Sequence, residues 1–264
     1  SSDRPNIAGS SIKDKVRATS YPVAEAGEMI WVYLGPRDRQ PELPQFKFMT
    51  ATPEHRLIRR TILDCNWVQS IEGHLDSSHA GILHRDWDPF GRGTDQRFVQ
   101  MVRSNNGLAT DDDAPRIEVE DTAFGFHSAA VREARRGTDN VSYARIHTFA
   151  LPWLTIIPPG TFFFEVPIDD EHVSIVSATW DPAKPIDRSN AFKIFGSPAM
   201  YEHAAGNLVR RFKGAPENRW FQDRERMARQ GSFSGIDGFI AEDLSVCASM
   251  GPIFDRSKIG RAHV

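Results

Sequence analysis

The sequence predicts an α+β fold in which helices lie against an antiparallel sheet. Three observations carry that prediction. Residues 115–133, 142–158, 161–168 and 173–180 are β-branched or aromatic runs separated by turn residues. Apolar residues recur at helical spacing over 66–79, where Trp67, Ile71 and Leu75 stand at i, i+4 and i+8. Helical patterns return over 190–213, 219–230 and 238–250, and strands followed by helices read as α+β. The 264 residues suit one large domain, or one domain plus a fragment.

In chain order, residues 12–34 read as two short strands around a Glu-Ala-Gly turn. Two strands make no stable unit alone, so this segment is the tail of something larger or an added edge. The proline-rich stretch 35–46 reads as a linker. HRLIRRTILD (55–64) is a strand, the helix of 66–79 follows, and the polar, Gly-rich 86–114 reads as a long loop. TFFFEVPI and VSIVSATW, joined through Asp169–His172, form a hairpin.

Composition narrows the function classes. Net charge is −3 and Lys and Arg form no basic tract, which argues against nucleic acid or an anionic membrane as partner. No apolar run approaches the roughly 20 residues that span a bilayer, and the polar N-terminus has no signal-peptide core, so the expected compartment is the cytoplasm. With only Cys65 and Cys247, neither a disulfide framework nor a cysteine-based metal knuckle is available.

The chemistry concentrates in IEGHLDSSHAGILHRD (71–86). On a continuous helix Glu72, Asp76 and His79 share a face. His84 follows five residues after His79, about 140° round an ideal helix, so both reach one ion only if the helix bends, for which Gly81 offers a place. His74 looks equally ligand-like, and a crowded polar helix end is the commoner meaning of such a stretch. A second segment, GFIAEDLSVCASM (238–250), shifts the balance. Helical projection puts Asp243 in the middle of a face formed by Phe239, Val246, Cys247 and Met250, with Glu242 on the polar side beside Ser245 and Ser249. A carboxylate so placed needs a compensating cation, an arginine or a metal, or dense hydrogen bonding. Two histidines and one distant inward carboxylate match the facial triad of non-haem Fe(II) oxygenases.

NWVQSIEGHLDSSHAGILH resembles the catalytic-domain signature of Rieske non-haem iron ring-hydroxylating oxygenases, large (α) subunit: an Asp, two residues, a His, four residues and a second His. FIAEDLSVCASMGPIFDRSK resembles the family's third-ligand segment, and YPVAEAGEMIWVYLGP, PELPQF and DRERMARQGSFSGIDGFIAED resemble its phthalate-dioxygenase-like branch. The likeness covers nearly all of 12–258. It implies a helix-grip catalytic domain in 45–258, with mononuclear Fe(II) on His79, His84 and Asp243. Asp76 would be the acid that passes electrons towards His79. Residues 1–44 would be the remnant of a Rieske β-domain and its linker.

The family's [2Fe–2S] cluster is held by two Cys-x-His-type pairs, and none occurs here. The chain is therefore expected to be an N-terminally truncated fragment, inactive without its cluster, and IGRAHV (259–264) an artefactual tail. The resemblance further implies an aromatic substrate, dioxygen, a flavin/iron–sulfur reductase drawing on NAD(P)H, and homotrimers or homohexamers. Phe124, Phe126, Phe149 and Trp153 are candidate pocket residues, although core packing is the commoner use of each. Arg145 could meet a substrate carboxylate, a surface salt bridge being its commoner use. Two other classes fit less well. A non-enzymatic hydrophobic-ligand carrier needs no such ligand set, and a His₂Asp zinc hydrolase lacks a general base near the helix beyond Glu72.

Overall fold

The computed structural model describes residues 15–16, 18–84, 114–136, 139–158, 160–188, 193–204, 209–229 and 232–258. The predicted 86–114 loop (but for Ala114) and the 259–264 tail lie outside them. The chain forms two compact units, Ser1–Ala51 and Thr52–Val264.

In the first unit, strands β1 (Val23–Ala26) and β2 (Met29–Val32) pair antiparallel, Ala26 opposite Met29. The two loop residues Gly27 and Glu28 have φ of 64° and 63°, the conformation a two-residue hairpin of this hand requires. Glycine is needed at the first for a second reason, since a Cβ there would stand 2.8 Å from the Phe48 ring.

The second unit is built on a nine-stranded sheet in the order β10-β11-β3-β9-β8-β7-β6-β5-β4. Its strands are β3 (Arg56–Leu63), β4 (Arg116–Thr122), β5 (Gly125–Arg136), β6 (Asp139–Ala150), β7 (Leu154–Ile157), β8 (Thr161–Pro167), β9 (Val173–Trp180), β10 (Tyr201–Ala204) and β11 (Val209–Phe212). Every pairing is antiparallel except β11 with β3. The predicted β8–β9 hairpin is present, with Pro167 opposite Val173. Helix α1 (Trp67–Leu75) lies against β6–β9, and α4 (Phe239–Ser249) packs on α1. Leu63, Val173, Ile175, Phe195, Leu244 and Cys247 belong to the core between these layers. The fold is thus α+β, with helices on a largely antiparallel sheet.

The helix predicted over 66–79 is interrupted. α1 ends at Leu75, Asp76 is extended with ψ 115°, and a second helix, α2 (His79–Leu83), starts after Ser77 and Ser78. The Asp76 carboxylate accepts from the backbone N–H of Ser78 at 2.7 Å and of His79 at 3.3 Å, so it competes for the amides that would have continued α1. From β5, the fully buried Arg132 guanidinium donates to the Ser77 carbonyl and hydroxyl and fixes the break. Glu72, Asp76 and His79 therefore share no continuous helical face, and the bend falls before His79 rather than at Gly81.

The segment 190–213 is also not α-helical where described, holding only the single 3-10 turns Lys193–Phe195 and Pro198–Met200. Gly196 has φ 80°, and a Cβ there would sit 1.8 Å from the Asp237 carbonyl oxygen. Pro198 follows, and the chain then forms β10 and β11, whose Tyr201 and Phe212 face each other across the pair. Of 219–230 only the short α3 (Arg224–Ala228) is α-helical, because Arg219 and Trp220 have φ of 53° and 51°. The 238–250 prediction corresponds to α4.

Candidate metal centre

The break after Leu75 turns the start of α2 towards α4. His79, His84 and Asp243 each offer one ligand atom, and these atoms all lie within 4.8 Å of one another. Asp243 Oδ1 stands 3.0 Å from His84 Nε2 and 3.4 Å from His79 Nε2. The other nitrogens face outward from the cluster. His79 Nδ1 lies 3.4 Å from Asp76 Oδ2, and His84 Nδ1 donates to Glu242 Oε2 at 2.7 Å.

These contacts test whether a metal fits. With its Nδ1 proton committed to Glu242, neutral His84 presents a lone pair at Nε2, which is buried and has no hydrogen-bond partner. That lone pair faces a carboxylate oxygen, and two acceptors at 3.0 Å repel unless a cation lies between them. First-row ions bind nitrogen and oxygen at about 2.1 Å, which sets neighbouring ligands about 3 Å apart. The donor set therefore fits a divalent ion held on one face by two imidazoles and one carboxylate.

Without a metal, protons take that role. Burial opposes protonation of His79, but Asp243 and Asp76 outweigh it and raise its pKa to about 10. His84 is shifted the same way: Asp243 and Glu242 overcome its burial. Asp243 is pushed up by burial yet held well below the usual carboxylate range by the two imidazoles. Asp76 is also lowered, since its hydrogen bonds from His79 and Ser78 overcome its desolvation.

Glu242 corrects the helical projection. It is 4% exposed rather than on a polar face, because His84 Nδ1 and the Ser234 hydroxyl both donate to it. Val246 and Met250, placed on the apolar face by projection, are exposed, and α4 buries Ala241, Leu244, Ser245 and Ala248 instead. Ser245 is tolerated there by donating to the carbonyls of Ala241 and Trp220. Glu72, the one base considered for a hydrolase, is exposed and held in a two-point ion pair by Arg256.

The ligands open onto a cavity of about 480 Å³. Its apolar wall includes Leu63, Ile157, Phe163, Ile175, Phe239 and Ile240. Of the predicted pocket aromatics, Phe126 and Phe149 pair with each other across β5–β6 and Trp153 packs on Phe164. Neither these three nor the exposed Phe124 is among the lining residues.

Arg145 does line the cavity, and no surface salt bridge holds it. It has no carboxylate partner among the described residues, its Nε is buried without a hydrogen bond, and desolvation lowers its pKa. Two residues along β6, on the same face, His147 also lines the cavity. Its Nδ1 donates to the Leu75 carbonyl at 3.1 Å and burial lowers its pKa to about 4, so it is neutral. His147 was not among the residues singled out in the sequence, although it stands two residues from Arg145 on the same strand. His74, equally ligand-like in the sequence, was assigned no role there. His74 lines the cavity, stacks on Phe163 with centroids 4.0 Å apart, and bonds through Nδ1 to Glu165, which is fully buried. A lone glutamate inside TFFFEVP was the available signal.

Among the described residues no helix is long and apolar enough to cross a membrane. Residues 32–262 match a family profile described as LigXa C-terminal domain like. The chain is 34% identical over 256 residues to the phthalate 4,5-dioxygenase oxygenase subunit of Pseudomonas putida, covering 95% of this chain and 56% of that protein. It is 30% identical over 260 residues to the 3-chlorobenzoate-3,4-dioxygenase oxygenase subunit of Comamonas testosteroni, covering 92% and 57%. The chain thus spans a little over half the length of these relatives. Among solved structures, the terminal oxygenase of carbazole 1,9a-dioxygenase from Nocardioides aromaticivorans IC177 aligns with a TM-score of 0.49 and 16% identity, covering 94% of this chain and 64% of that one. On the strength of the profile match and the first of these relatives, the chain belongs to the family of Rieske non-haem iron oxygenase large subunits, in its phthalate-dioxygenase-like branch.

Proposed function

We propose that this chain is the mononuclear-iron catalytic domain of a ring-hydroxylating oxygenase acting on a carboxylated aromatic substrate. The observation that carries this is the convergence of His79 Nε2, His84 Nε2 and Asp243 Oδ1 on the wall of a largely apolar cavity. Ferrous iron bound there would supply dioxygen activation beside the substrate. The protein's own residues do the rest. Glu242 holds the His84 tautomer, the apolar wall excludes water, and Arg145 orients the substrate. A buried guanidinium with no ion-pair carboxylate among the described residues favours an anion in the cavity, and guanidinium binds a carboxylate in two-point fashion.

In the full-length protein, electrons would come from NAD(P)H through a flavin/iron–sulfur reductase and a Rieske [2Fe–2S] cluster. Residues 1–44 would be the remnant of the cluster domain. Asp76 would be the bridging acid, a role supported by its approach to His79 Nδ1 on the side opposite Asp243. Homotrimers or homohexamers in the cytoplasm would bring one subunit's cluster to the next subunit's iron.

Anaerobic Fe(II) titration followed by EPR of the nitric oxide adduct tests the proposal. One iron per chain with an S = 3/2 signal, lost in both His84→Ala and Asp243→Ala, is the expected result. Zinc retained in preference to iron, or iron binding indifferent to both substitutions, would overturn it.

A further inference from the structure

Glu165 is fully buried on β8, 91 residues along the chain from its partner, and its Oε1 receives both His74 Nδ1 and the Thr155 hydroxyl. Its second oxygen, Oε2, has no hydrogen-bond partner among the described residues. Burying a carboxylate in this way is costly, and a side chain that only filled space on a sheet facing helices would be apolar. The pair fixes something, and what it fixes is the imidazole of His74. Glu165 sets one edge of the ring, and the parallel face of Phe163, inclined by 22°, sets its plane. With Nδ1 committed, the ring's other nitrogen, Nε2, makes no hydrogen bond among the described residues, and His74 lines the cavity. His74 is not among the residues that converge as a metal site.

We propose that the His74–Glu165 pair is a specificity site, in which His74 Nε2 accepts a hydrogen bond from a hydroxyl on the substrate ring. The substrate class is then a hydroxylated aromatic acid, its carboxylate on Arg145 and its hydroxyl on His74. This rests on the reading of the cavity as a substrate site given above. His147 adds a second neutral imidazole, on the face of β6 that carries Arg145. The two histidines offer acceptors, so a ring substituent that can only accept finds no complement at either.

The test is calorimetric binding of 3- and 4-hydroxybenzoate, of the matching fluorobenzoates, which are similar in size but cannot donate, and of the hydroxybenzamides. The expected result is that one hydroxybenzoate binds about tenfold tighter than its fluoro counterpart, the ratio for one good hydrogen bond. In His74→Phe, which keeps the stack on Phe163, that preference should fall to within about twofold while the preference for carboxylate over carboxamide persists. Because His74→Phe strands a buried Glu165, the double variant His74→Phe/Glu165→Gln serves if the single one does not fold. Equal binding of hydroxy and fluoro ligands by the unaltered protein, or a hydroxyl preference that survives in the variants, overturns the proposal. Loss of carboxylate discrimination with the hydroxyl preference intact would count against the Arg145 reading alone. No binding by any hydroxybenzoate would overturn both.

Discussion

Removing Glu242 separates a metal site from a coincidence of polar side chains. Glu242 touches no potential ion directly; it acts by accepting the His84 Nδ1 proton at 2.7 Å. Without that acceptor the proton can occupy Nε2, the atom that must present its lone pair beside Asp243. Outer partners of metal-bound histidines are worth about 10- to 100-fold in affinity, or roughly 1.4–2.7 kcal/mol. Glu242 is almost wholly buried and also receives the Ser234 hydroxyl, so the upper half of that range applies. Glu242→Leu should weaken Fe(II) or Co(II) binding by about 30- to 100-fold in anaerobic competition against a chromophoric chelator. Glu242→Gln keeps a carbonyl acceptor and should lose less than about tenfold. The Leu variant also strands two buried donors, at about 1–3 kcal/mol each, so circular dichroism must show it folded at the assay temperature. A folded Glu242→Leu protein that binds metal within twofold of the parent would refute the reasoning.

Metal affinity should rise with pH between about 6 and 8, by up to tenfold per unit for each histidine that loses a proton on binding. The sign follows from the raised values of His79, about 10, and of His84 in the metal-free site, since bound metal displaces those protons. The metal-free fold shows the converse: stability from protonated His79 is complete below about pH 6.5 and is lost as pH rises towards 10. Chelator competition and thermal melts across that range check both signs, and a pH-independent affinity would contradict them. Asp76→Asn should leave metal affinity within about threefold, since Asp76 faces Nδ1 of His79, while slowing turnover severely in the corresponding full-length oxygenase; loss of iron from the variant would rule out the bridging role. Arg132→Met should cost about 2–4 kcal/mol in urea unfolding, because the Ser77 carbonyl and hydroxyl lose a charged donor in the interior. It should also weaken metal binding by loosening the break that aims His79, and an unchanged affinity would show that the break holds without it.

The sheet was legible because its strands are β-branched and aromatic runs bounded by turn residues, and the β8–β9 hairpin because its turn residues are local. Residues 190–213 misled because helical spacing is satisfied by any sufficiently mixed segment. What decides there is the contact of Gly196 with the backbone at Asp237, set by tertiary structure. Asp243 stood out as a carboxylate amid apolar neighbours, and of the face drawn around it Phe239, Val246 and Cys247 do line the cavity with it, but Val246 and Met250 are exposed rather than buried. α4 buries its Glu242 side because His84 and Ser234 supply donors that no helical projection contains.

The same limit explains why three histidines in sixteen residues looked interchangeable. Residue type and spacing say where an imidazole is, but its chemistry depends on which nitrogen keeps the proton, and that is decided by a partner elsewhere in the chain. In all four histidines at the cavity, Nδ1 is the engaged atom: His74 on Glu165, His79 beside Asp76, His84 on Glu242 and His147 on the Leu75 carbonyl. Three of these four partners are carboxylates, from β8, α4 and the break between α1 and α2. Each therefore turns an Nε2 inward, and what that atom meets separates their roles. Those of His79 and His84 meet Asp243, and two lone pairs beside one carboxylate demand a cation. Among the described residues, those of His74 and His147 make no hydrogen bond, on residues that line the cavity, and so are left to whatever the cavity holds.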